Sequence, residues 1–165
     1  MHQQAYEFVK ESVAGLARNG YVLEIGSWNV NGTVKDLFEG SVYLGIDLVR
    51  GNGVDLVIDA KDFDGKGIYD ICVTTEAMEH YPHPREIVDC AYRSLKSGGV
   101  FIATAASTGR NPHGIDGTQG QQEGEWYGNI ATYEMEEMLE SVGFTNIRVR
   151  YDGGYHDVQA TAVKP

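Results

Sequence analysis

The amino-acid sequence predicts an α/β fold: a doubly wound, mostly parallel sheet of seven strands, with helices on both faces and an antiparallel C-terminal hairpin. Two observations support this prediction. Short apolar runs rich in β-prone residues, typical of buried parallel strands, alternate with segments whose apolar residues follow helical spacing. The last two strand-like runs are joined by residues 152–155, which contain two glycines and can form a hairpin turn.

Length and hydropathy indicate how many domains the chain forms and whether it enters a membrane. Its 165 residues are near the usual size of one domain. No stretch is apolar for long enough to span a bilayer, and residues 1–4 lack the basic and apolar regions of a signal peptide. We therefore expect residues 1–165 to form a single domain in the cytoplasm, without a membrane partner.

The charge balance argues against a nucleic-acid partner. The formal net charge is −11, with 13 Lys and Arg against 24 Asp and Glu, and no basic cluster is present to neutralise a phosphate backbone. Cys72 and Cys90 are isolated in the sequence and support neither a disulfide framework nor a metal site. We expect both to be buried thiols and predict no bound metal.

The first predicted element is an amphipathic helix. Apolar residues recur at three- and four-residue steps, namely Ala5, Phe8, Val9, Val13 and Leu16. This spacing predicts a helix that ends near Asn19-Gly20 and covers one face of the sheet.

A strand, a glycine turn and a helix are predicted next. Residues 21–25 form an apolar, β-prone run that stops at Gly26, and residues 30–38 resume with helical spacing. Such a turn is where a nucleotide-like ligand approaches the backbone in an open α/β sheet, although ordinary strand–helix turns look similar. The second strand, residues 42–46, ends in Asp47, about twenty residues after the turn, where an acid can accept both hydroxyls of a ribose.

The connection to the third strand, residues 54–58, is unusually short. Parallel neighbours normally need about a dozen residues to cross over, usually as a helix, and residues 47–53 leave no room for one. We predict a tight, irregular crossover, with Leu48 and Val49 as candidates to pack against a bound nucleotide-like ligand.

The fourth and fifth strands complete the parallel part. Residues 67–75 form the fourth strand, which ends in Thr75-Glu76 at the same sheet edge as Gly26 and Asp47. A helix starting after Pro82 and Pro84 follows. We expect it to end in a glycine cap at residues 96–99, before a fifth strand at residues 100–104.

Residues 105–130 form a segment that is too long for an ordinary strand–helix loop. Because it leaves a strand at the ligand edge, it can fold over a bound ligand, and disorder without function is the alternative. After it, Thr132 can cap a helix that Gly143 stops, and residues 144–151 and 158–163 form the closing strands.

The order and spacing of these motifs resemble those of the class I S-adenosylmethionine-dependent methyltransferases. The matching motifs are Glu24-Ile25-Gly26-Ser27, Gly32, Asp47, Asp59-Ala60, Tyr69-Asp70, Thr74-Thr75-Glu76 and Ser97-Gly98-Gly99. The resemblance implies a Rossmann-like fold, in which the last strand of the closing antiparallel pair inserts beside the fifth strand, and S-adenosylmethionine as cofactor. It implies cofactor contacts from Glu24, Gly26, Ser27, Asp47, Leu48, Asp59, Ala60, Thr75 and Glu76. Trp28 departs from the family, which usually has a second glycine at that position.

Methyl transfer from a sulfonium is an in-line displacement that needs alignment more than acid–base machinery. For an alcohol acceptor, His113 is the first candidate general base, His80 the second and His156 the third. Trp126 and Tyr127 offer stacking surface to a small hydroxylated metabolite or sugar. A noncatalytic module that binds S-adenosylmethionine or a nucleoside and acts on a protein partner is the alternative. An NAD-dependent dehydrogenase is disfavoured because the turn is not Gly-x-Gly-x-x-Gly and no separate substrate domain exists.

Overall fold

A computed structural model describes residues 1–17 and 19–165. Seven strands form one mixed sheet in the order β3-β2-β1-β4-β5-β7-β6. The strands are β1 (Tyr21–Ile25), β2 (Val42–Asp47), β3 (Leu56–Val57), β4 (Tyr69–Thr75), β5 (Leu95–Ala106), β6 (Thr145–Asp152) and β7 (Asp157–Val163). The helices are α1 (Gln3–Ser12), α2 (Pro84–Ser94) and α3 (Thr132–Val142), with short 3₁₀ helices at Lys35–Phe38, Ala60–Asp62 and Met78–His80. Strands β1 to β5 run parallel, and β7 is antiparallel to both β5 and β6, which confirms the predicted fold class.

Alternate residues of the central strands bury their side chains against opposite layers of helices, as a doubly wound sheet requires. On one face, α1 and the first 3₁₀ helix pack against β1, β4 and β5; this cluster includes Phe8, Val9, Val22, Phe38, Val73 and Ile102. On the other face, α2 and α3 cover the same strands; this cluster includes Leu23, Cys72, Val88, Phe101, Met135 and Leu139. Cys72 and Cys90 are both buried free thiols, as predicted.

The sheet changes winding direction at β1, and this places the site. Strand β1 pairs with β2 on one side and with β4 on the other, so the connections after β1 and β4 leave in opposite directions. A crevice opens where neighbouring connections diverge, at the carboxyl ends of the strands. Gly26 and Glu76 directly follow β1 and β4, and Asp47 is the last residue of β2, so all three lie at this crevice.

The C-terminal hairpin is built into the sheet instead of lying at its edge. Strand β7 lies between β5 and β6, as predicted, and pairs with β5 from Val100–Val163 to Ala106–Asp157. Beyond it, the Nζ atom of Lys164 donates to the carbonyl oxygens of Tyr92 at 2.8 Å and Leu95 at 2.7 Å. A cationic donor at the last carbonyls of α2 stabilises that helix end.

The prediction of a helix over residues 30–38 is wrong. Only the 3₁₀ helix Lys35–Phe38 forms there. Gly32 adopts a φ of +144°, which a right-handed helix cannot accommodate, and its N–H donates to Asn29 Oδ1 at 2.9 Å in a local side-chain turn. The apolar spacing is still used, because Val34, Leu37 and Phe38 are buried against the sheet.

Several predicted boundaries also shift. Helix α1 ends at Ser12, well before Asn19-Gly20, and Gly15, a poor helix former, lies in the turn that follows. Strand β3 is limited to two exposed residues, because it is an edge strand with β2 as its single neighbour.

Two predicted helix caps are misplaced. Helix α2 ends at Ser94, before residues 96–99, because the buried Leu95 is already extended and pairs with Tyr69 of β4. Ala131, and not Thr132, precedes α3, where the Glu134 carboxylate accepts the Ala131 N–H at 2.7 Å. Gly143 stops α3 with a φ of +106°, as predicted.

The crossover from β2 to β3 is irregular, as predicted, and contains no helix over residues 48–55. A side chain at Gly51 would begin 2.2 Å from the Trp28 indole, so the crossover backbone and this ring are in direct contact. Across residues 1–17 and 19–165, no helix has the length and apolar character needed to cross a membrane.

Candidate active site

A cavity of about 960 Å³ opens at the carboxyl ends of β1, β2 and β4. Most of the predicted cofactor, catalytic and substrate residues line it, namely Glu24, Gly26, Ser27, Asp47, Leu48, Ala60, Thr75, Glu76, His80, His113 and Trp126. Unpredicted lining residues include His2, Trp28, Tyr81 and Arg110. The cavity therefore combines strand ends with two segments that are distant in the sequence, the N-terminus and the loop between β5 and α3.

The glycine turn after β1 is folded tightly onto its neighbours. Gly26 adopts a φ of +80°, and a side chain there would begin 2.3 Å from Cβ of Ala77. The N–H groups of Gly26 and Ser27 donate to the Ile46 carbonyl oxygen at 2.9 and 3.1 Å. The Ser27 hydroxyl is buried without a hydrogen-bond partner. A glycine is therefore required at position 26, and the Ser27 hydroxyl remains available to a ligand.

Asp47 is held at the cavity wall by the backbone. Its Oδ2 accepts the Trp28 N–H at 3.0 Å and its Oδ1 accepts the Val49 N–H at 3.1 Å. These bonds fix the carboxylate while leaving further lone pairs for a ligand. The Trp28 backbone thus orients the ribose-binding candidate while its ring rests on Gly51, which accounts for a bulky residue in place of the second glycine.

Glu24 is a buried acid at the end of β1. Its side chain is 4% exposed, and its Oε2 accepts the Tyr43 hydroxyl at 2.8 Å. Burial raises the pKa of Glu24 to about 7, although the Tyr43 hydrogen bond and the charge of Lys35 lower it. The nearby carboxylates of Asp47 and Asp55 raise it further. In the absence of a cationic ligand, this acid titrates close to neutral pH.

The raised pKa of Glu24 predicts that the protein loses stability as pH rises, and a Glu24→Gln variant should not show this loss. In the folded protein Glu24 stays protonated up to a pKa of about 7, against 4.5 for the ordinary value, so its contribution to stability is present at low pH and is lost as pH rises between these values. Relative to wild type, the free energy of unfolding of Glu24→Gln should therefore rise by up to about 3 kcal/mol between pH 5 and pH 8.

Urea unfolding of both proteins across this pH range measures the difference in their free energies of unfolding. The contributions of the other titrating groups are the same in both proteins and cancel in this difference. A difference that stays constant with pH would contradict the raised pKa. Glu11→Gln, which changes an exposed acid on α1, serves as the control.

The side of the cavity that the crossover forms is apolar. Leu48 and Val49 of the crossover are partly exposed, and Ile58, Ala60 and Ile87 line the adjoining wall. Asp59 does not line the cavity: its Oδ1 accepts the Tyr81 hydroxyl at 2.7 Å and the Lys61 N–H at 3.1 Å. The structure thus places Tyr81, and not Asp59, against the cavity at this strand end.

An ion network that the sequence analysis missed surrounds Glu76. This residue adopts a positive φ of 52°, and its Oε1 accepts the Thr104 hydroxyl at 2.9 Å. His2 Nε2 lies 3.4 Å from Glu76 Oε2 and 2.6 Å from Asp157 Oδ2. Arg110 lies 3.8 Å from Glu76 Oε2 and donates to Asp157 Oδ1 at 2.8 Å.

The charges of this network are mutually dependent. Burial opposes charge on the His2 ring, but the side-chain bonds to Asp157 and Glu76 outweigh it and raise the pKa of His2 to about 9. Burial likewise opposes ionisation of Glu76, but His2, Thr104 and Arg110 lower its pKa below the ordinary value. The network therefore places ionised Glu76 beside two cations at the end of β4.

The loop between β5 and α3, residues 107–131, folds back over the cavity. It begins two residues later than predicted because β5 continues to Ala106. The Gly128 N–H donates to the Glu79 carbonyl oxygen at 2.8 Å, which ties the loop to the 3₁₀ helix Met78–His80. His113 forms isolated strand-type bridges to Gln119 and Gly120, so the loop has internal structure.

Three rings meet where this loop contacts the 3₁₀ helix. The ring centroids of His80 and His113 lie 4.9 Å apart, and those of Tyr127 lie 5.5 Å from His80 and 5.0 Å from His113. Burial, together with the His113 ring, lowers the pKa of His80 to about 4, so His80 is neutral at physiological pH. Tyr127 is half-buried against the two histidines and does not line the cavity, whereas Trp126 lines it and is 51% exposed.

The tautomer of His113 follows from its partner. Its Nδ1 lies 3.2 Å from the Asn111 carbonyl oxygen, which can only accept, so Nδ1 carries the proton. The Nε2 lone pair is then free to take a proton or to bind a cation.

Comparison with known proteins agrees with this architecture. The family model of the methyltransferase domain matches residues 1–149. Similar solved structures include a Burkholderia thailandensis 1,6-didemethyltoxoflavin-N1-methyltransferase with bound 1,6-didemethyltoxoflavin and S-adenosylhomocysteine. It has 17% identity and a TM-score of 0.70, with 98% of this chain and 77% of that chain covered. A search of curated proteins found no match.

Two further structures share the fold. An Aquifex aeolicus S-adenosylmethionine-dependent methyltransferase has 16% identity and a TM-score of 0.69, and the match covers 100% of this chain and 94% of that chain. A Haemonchus contortus phosphoethanolamine N-methyltransferase 2, in complex with phosphomonomethylethanolamine and S-adenosylhomocysteine, has 14% identity and a TM-score of 0.67. That match covers 98% of this chain and 53% of that chain.

The family model covers most of the chain, and the fold and its switch-point cavity agree with it. The predicted family, enzyme class and cofactor are thereby confirmed. The chain belongs to the methyltransferase domain family and is an S-adenosylmethionine-dependent methyltransferase.

Proposed function

We propose that this enzyme methylates a small hydroxylated metabolite or sugar, bound between the cofactor and the loop of residues 107–131. The observation that carries the proposal is the two-sided cavity. Carboxylates line it at the ends of β1 and β2, whereas the imidazoles of His80 and His113 line it beneath the loop. The first side suits a nucleoside with a cationic tail, and the second suits an acceptor that must lose a proton.

The residues at the strand ends fit S-adenosylmethionine. Asp47 presents a fixed carboxylate to the ribose hydroxyls, and Leu48 and Ala60 offer apolar surface to the adenine. Glu24, buried and close to neutral pKa, gains a counterion from the ammonium of the methionine tail. Gly26, Ser27, Thr75 and Glu76 complete the proposed contacts. When bound, the cofactor supplies a methyl group on a sulfonium: the acceptor oxygen forms the new bond to carbon, and the carbon–sulfur electron pair leaves with sulfur.

The chain's own contribution on the acceptor side is alignment and removal of a proton. With its Nδ1–H bound to the Asn111 carbonyl, His113 presents Nε2 to the acceptor hydroxyl as a proton acceptor. Trp126 gives a flat surface at the rim for a sugar or a small ring, with Tyr127 supporting the histidines from behind.

Size and charge support a small acceptor over a polymer. We propose that residues 1–165 act as a single domain, in which the loop is the available recognition element. A net charge of −11 disfavours nucleic acid. The two neighbours crystallised with acceptors hold small molecules, 1,6-didemethyltoxoflavin and phosphomonomethylethanolamine.

Loss of the Asp47 carboxylate is expected to weaken the binding of S-adenosylmethionine. A charge-assisted hydrogen bond contributes about 1.5–3 kcal/mol, so Asp47→Ala should raise the dissociation constant about 10- to 150-fold. Asp47→Asn keeps an oxygen for the Trp28 or Val49 N–H and should lose less. Calorimetry with S-adenosylmethionine and S-adenosylhomocysteine measures both variants.

Asp89→Ala is the matched control, because it removes an acid from the exposed face of α2 and should bind as wild type does. Unchanged affinity in Asp47→Ala would remove this residue from the cofactor site. Tighter binding of NAD than of S-adenosylmethionine by wild type would refute the proposed use of the cavity. Turnover on a panel of hydroxylated metabolites and sugars tests the acceptor class, and methylation of amines alone would contradict it.

A further inference from the structure

Glu79 is an acid whose surroundings leave its carboxyl group without hydrogen bonds. Its side chain is fully buried, and neither carboxyl oxygen has a hydrogen-bond partner. The backbone N–H groups of Glu79 and Ala106 lie near the carboxyl group, but neither reaches hydrogen-bond geometry. An unpartnered buried carboxyl group is costly, so its retention indicates a partner that binds there.

Two imidazoles stand beside this carboxyl group. One oxygen of Glu79, one ring nitrogen of His80 and one ring nitrogen of His113 all lie within 4.8 Å of one another. Nδ1 of His80 is also buried without a partner. His113 donates its Nδ1–H to a backbone carbonyl, the usual arrangement by which a metal-binding histidine is oriented.

We propose that Glu79, His80 and His113 bind one divalent transition-metal ion on the acceptor side of the cavity. Two imidazoles and a carboxylate suit zinc and its first-row neighbours better than magnesium, which prefers oxygen ligands alone. Three protein ligands leave coordination positions open toward the cavity, as in catalytic metal sites. This site departs from the metal-free prediction, which considered cysteine ligands alone.

A second cluster, with one imidazole and two carboxylates, does not qualify. His2, Glu76 and Asp157 also bring their ligand atoms within 4.8 Å of one another. The Arg110 guanidinium, however, donates to Asp157 at 2.8 Å and lies 3.8 Å from Glu76, so this cluster already has its positive charge. Of the two clusters, only that of Glu79 has a carboxyl group without a partner.

The ligands of the proposed site are preorganised by different elements. Glu79 and His80 come from the 3₁₀ helix Met78–His80, which directly follows the end of β4. His113 comes from the loop, which the Gly128–Glu79 backbone hydrogen bond and the Tyr127 ring hold against that helix. The ion would therefore fasten the acceptor loop to the sheet edge.

The proposed ion also narrows the class of acceptor that we expect, and this inference rests on the proposed function. A hydroxyl bound to a divalent ion loses its proton at lower pH than a free one. The proton passes to solvent, the oxygen forms the bond to the methyl carbon, and sulfur keeps the electron pair of the broken bond. His113 then acts as a ligand and not as a free base. Acceptors with two adjacent oxygens, which can chelate the ion, are expected to be preferred.

Metal binding is tested directly on the protein of residues 1–165, after treatment with a chelator and removal of that chelator. Titration with Co²⁺, followed by visible absorbance, and with Zn²⁺, followed by calorimetry, should give one equivalent of bound ion. Glu79→Gln and His113→Ala should each weaken binding by more than the 10- to 100-fold typical of losing an outer-shell partner. His83→Ala, which removes an exposed histidine next to α2, should bind as wild type does.

The same protein samples distinguish the proposed metal site from the proposed function. Absence of stoichiometric binding in wild type, or equal affinity in His113→Ala and His83→Ala, would overturn the metal site. Calorimetry with S-adenosylmethionine on the metal-free protein tests the cofactor site independently, so failure there counts against the proposed function instead. Turnover that survives complete removal of the metal would overturn the catalytic part of this inference, and recovery on adding Zn²⁺ supports it.

Discussion

Replacing His113 by alanine is expected to lower turnover about 10²–10⁴-fold, with the affinity for S-adenosylmethionine nearly unchanged. The side chain belongs to the loop of residues 107–131, lines the cavity and contacts the His80 ring, and it is not one of the residues proposed to hold the cofactor. Its free Nε2 is the proposed contact with the reacting hydroxyl, either directly or through a bound ion. Rates of S-adenosylhomocysteine formation at saturating cofactor, with calorimetry in parallel, measure both quantities.

His156→Ala provides the comparison. His156 also follows a strand, but its Nδ1 contacts the Tyr151 hydroxyl on the hairpin, and the residue does not line the cavity. Its replacement should leave turnover close to wild type. A His113→Ala enzyme as fast as wild type on the true acceptor would remove His113 from the mechanism. Chelator sensitivity of the wild type then distinguishes a ligand from a free base.

Ending the chain after Tyr151 is expected to abolish cooperative folding. The missing strand β7 pairs with β5 and β6, so its loss leaves two strands with open edges inside the sheet. Val158, Ala160 and Ala162 are fully buried, and their removal opens the core against α3. The deletion also removes Lys164, which donates to the last carbonyls of α2.

Thermal and urea unfolding, followed by far- and near-ultraviolet circular dichroism, measure this effect. Removing Pro165 alone takes away an exposed residue that lies beyond β7 and should leave the transition unchanged. A protein ending at Tyr151 that stays soluble and melts cooperatively near the wild-type temperature would contradict the role assigned to β7.

The parallel core was predictable because its signals are local. Apolar runs, the glycine after β1 and acids at strand ends each depend on a few adjacent residues, and their order fixes which edge of the sheet they share. The insertion of β7 between β5 and β6 was also predicted, but from the family resemblance and not from the pattern of the strands themselves.

The helix predicted at residues 30–38 shows where a periodic pattern misleads. Val34, Leu37 and Phe38 are buried as the pattern required, but a 3₁₀ turn buries them as well as an α-helix does. The competing signal was present in Asn29 and Gly32, which favour local turns, and it outweighs the spacing of apolar residues.

The ion network around Glu76 could not be predicted, because its members come from the N-terminus, β4, the loop and β7. No spacing relates His2, Arg110 and Asp157 in the sequence, and each residue taken alone is typical of a protein surface.

The proposed metal site could not be predicted for a different reason. The Glu79-His80 pair is visible in the sequence, but the lack of hydrogen-bond partners for Glu79 emerges only once its neighbours are in place.

The ion pair between His2 and Asp157 has a consequence for biosynthesis. A nascent chain leaves the ribosome from its N-terminus, and domains are made at about 5–20 residues per second. His2 and Glu76 are therefore made seconds before Asp157, which holds both His2 and Arg110 in the finished protein. Until β7 emerges, Glu76 lacks the arrangement of cations that keeps it ionised. The ion network at the end of β4 is thus completed by a residue that is translated after every residue lining the cavity, and a chain that stops before Asp157 cannot contain this network.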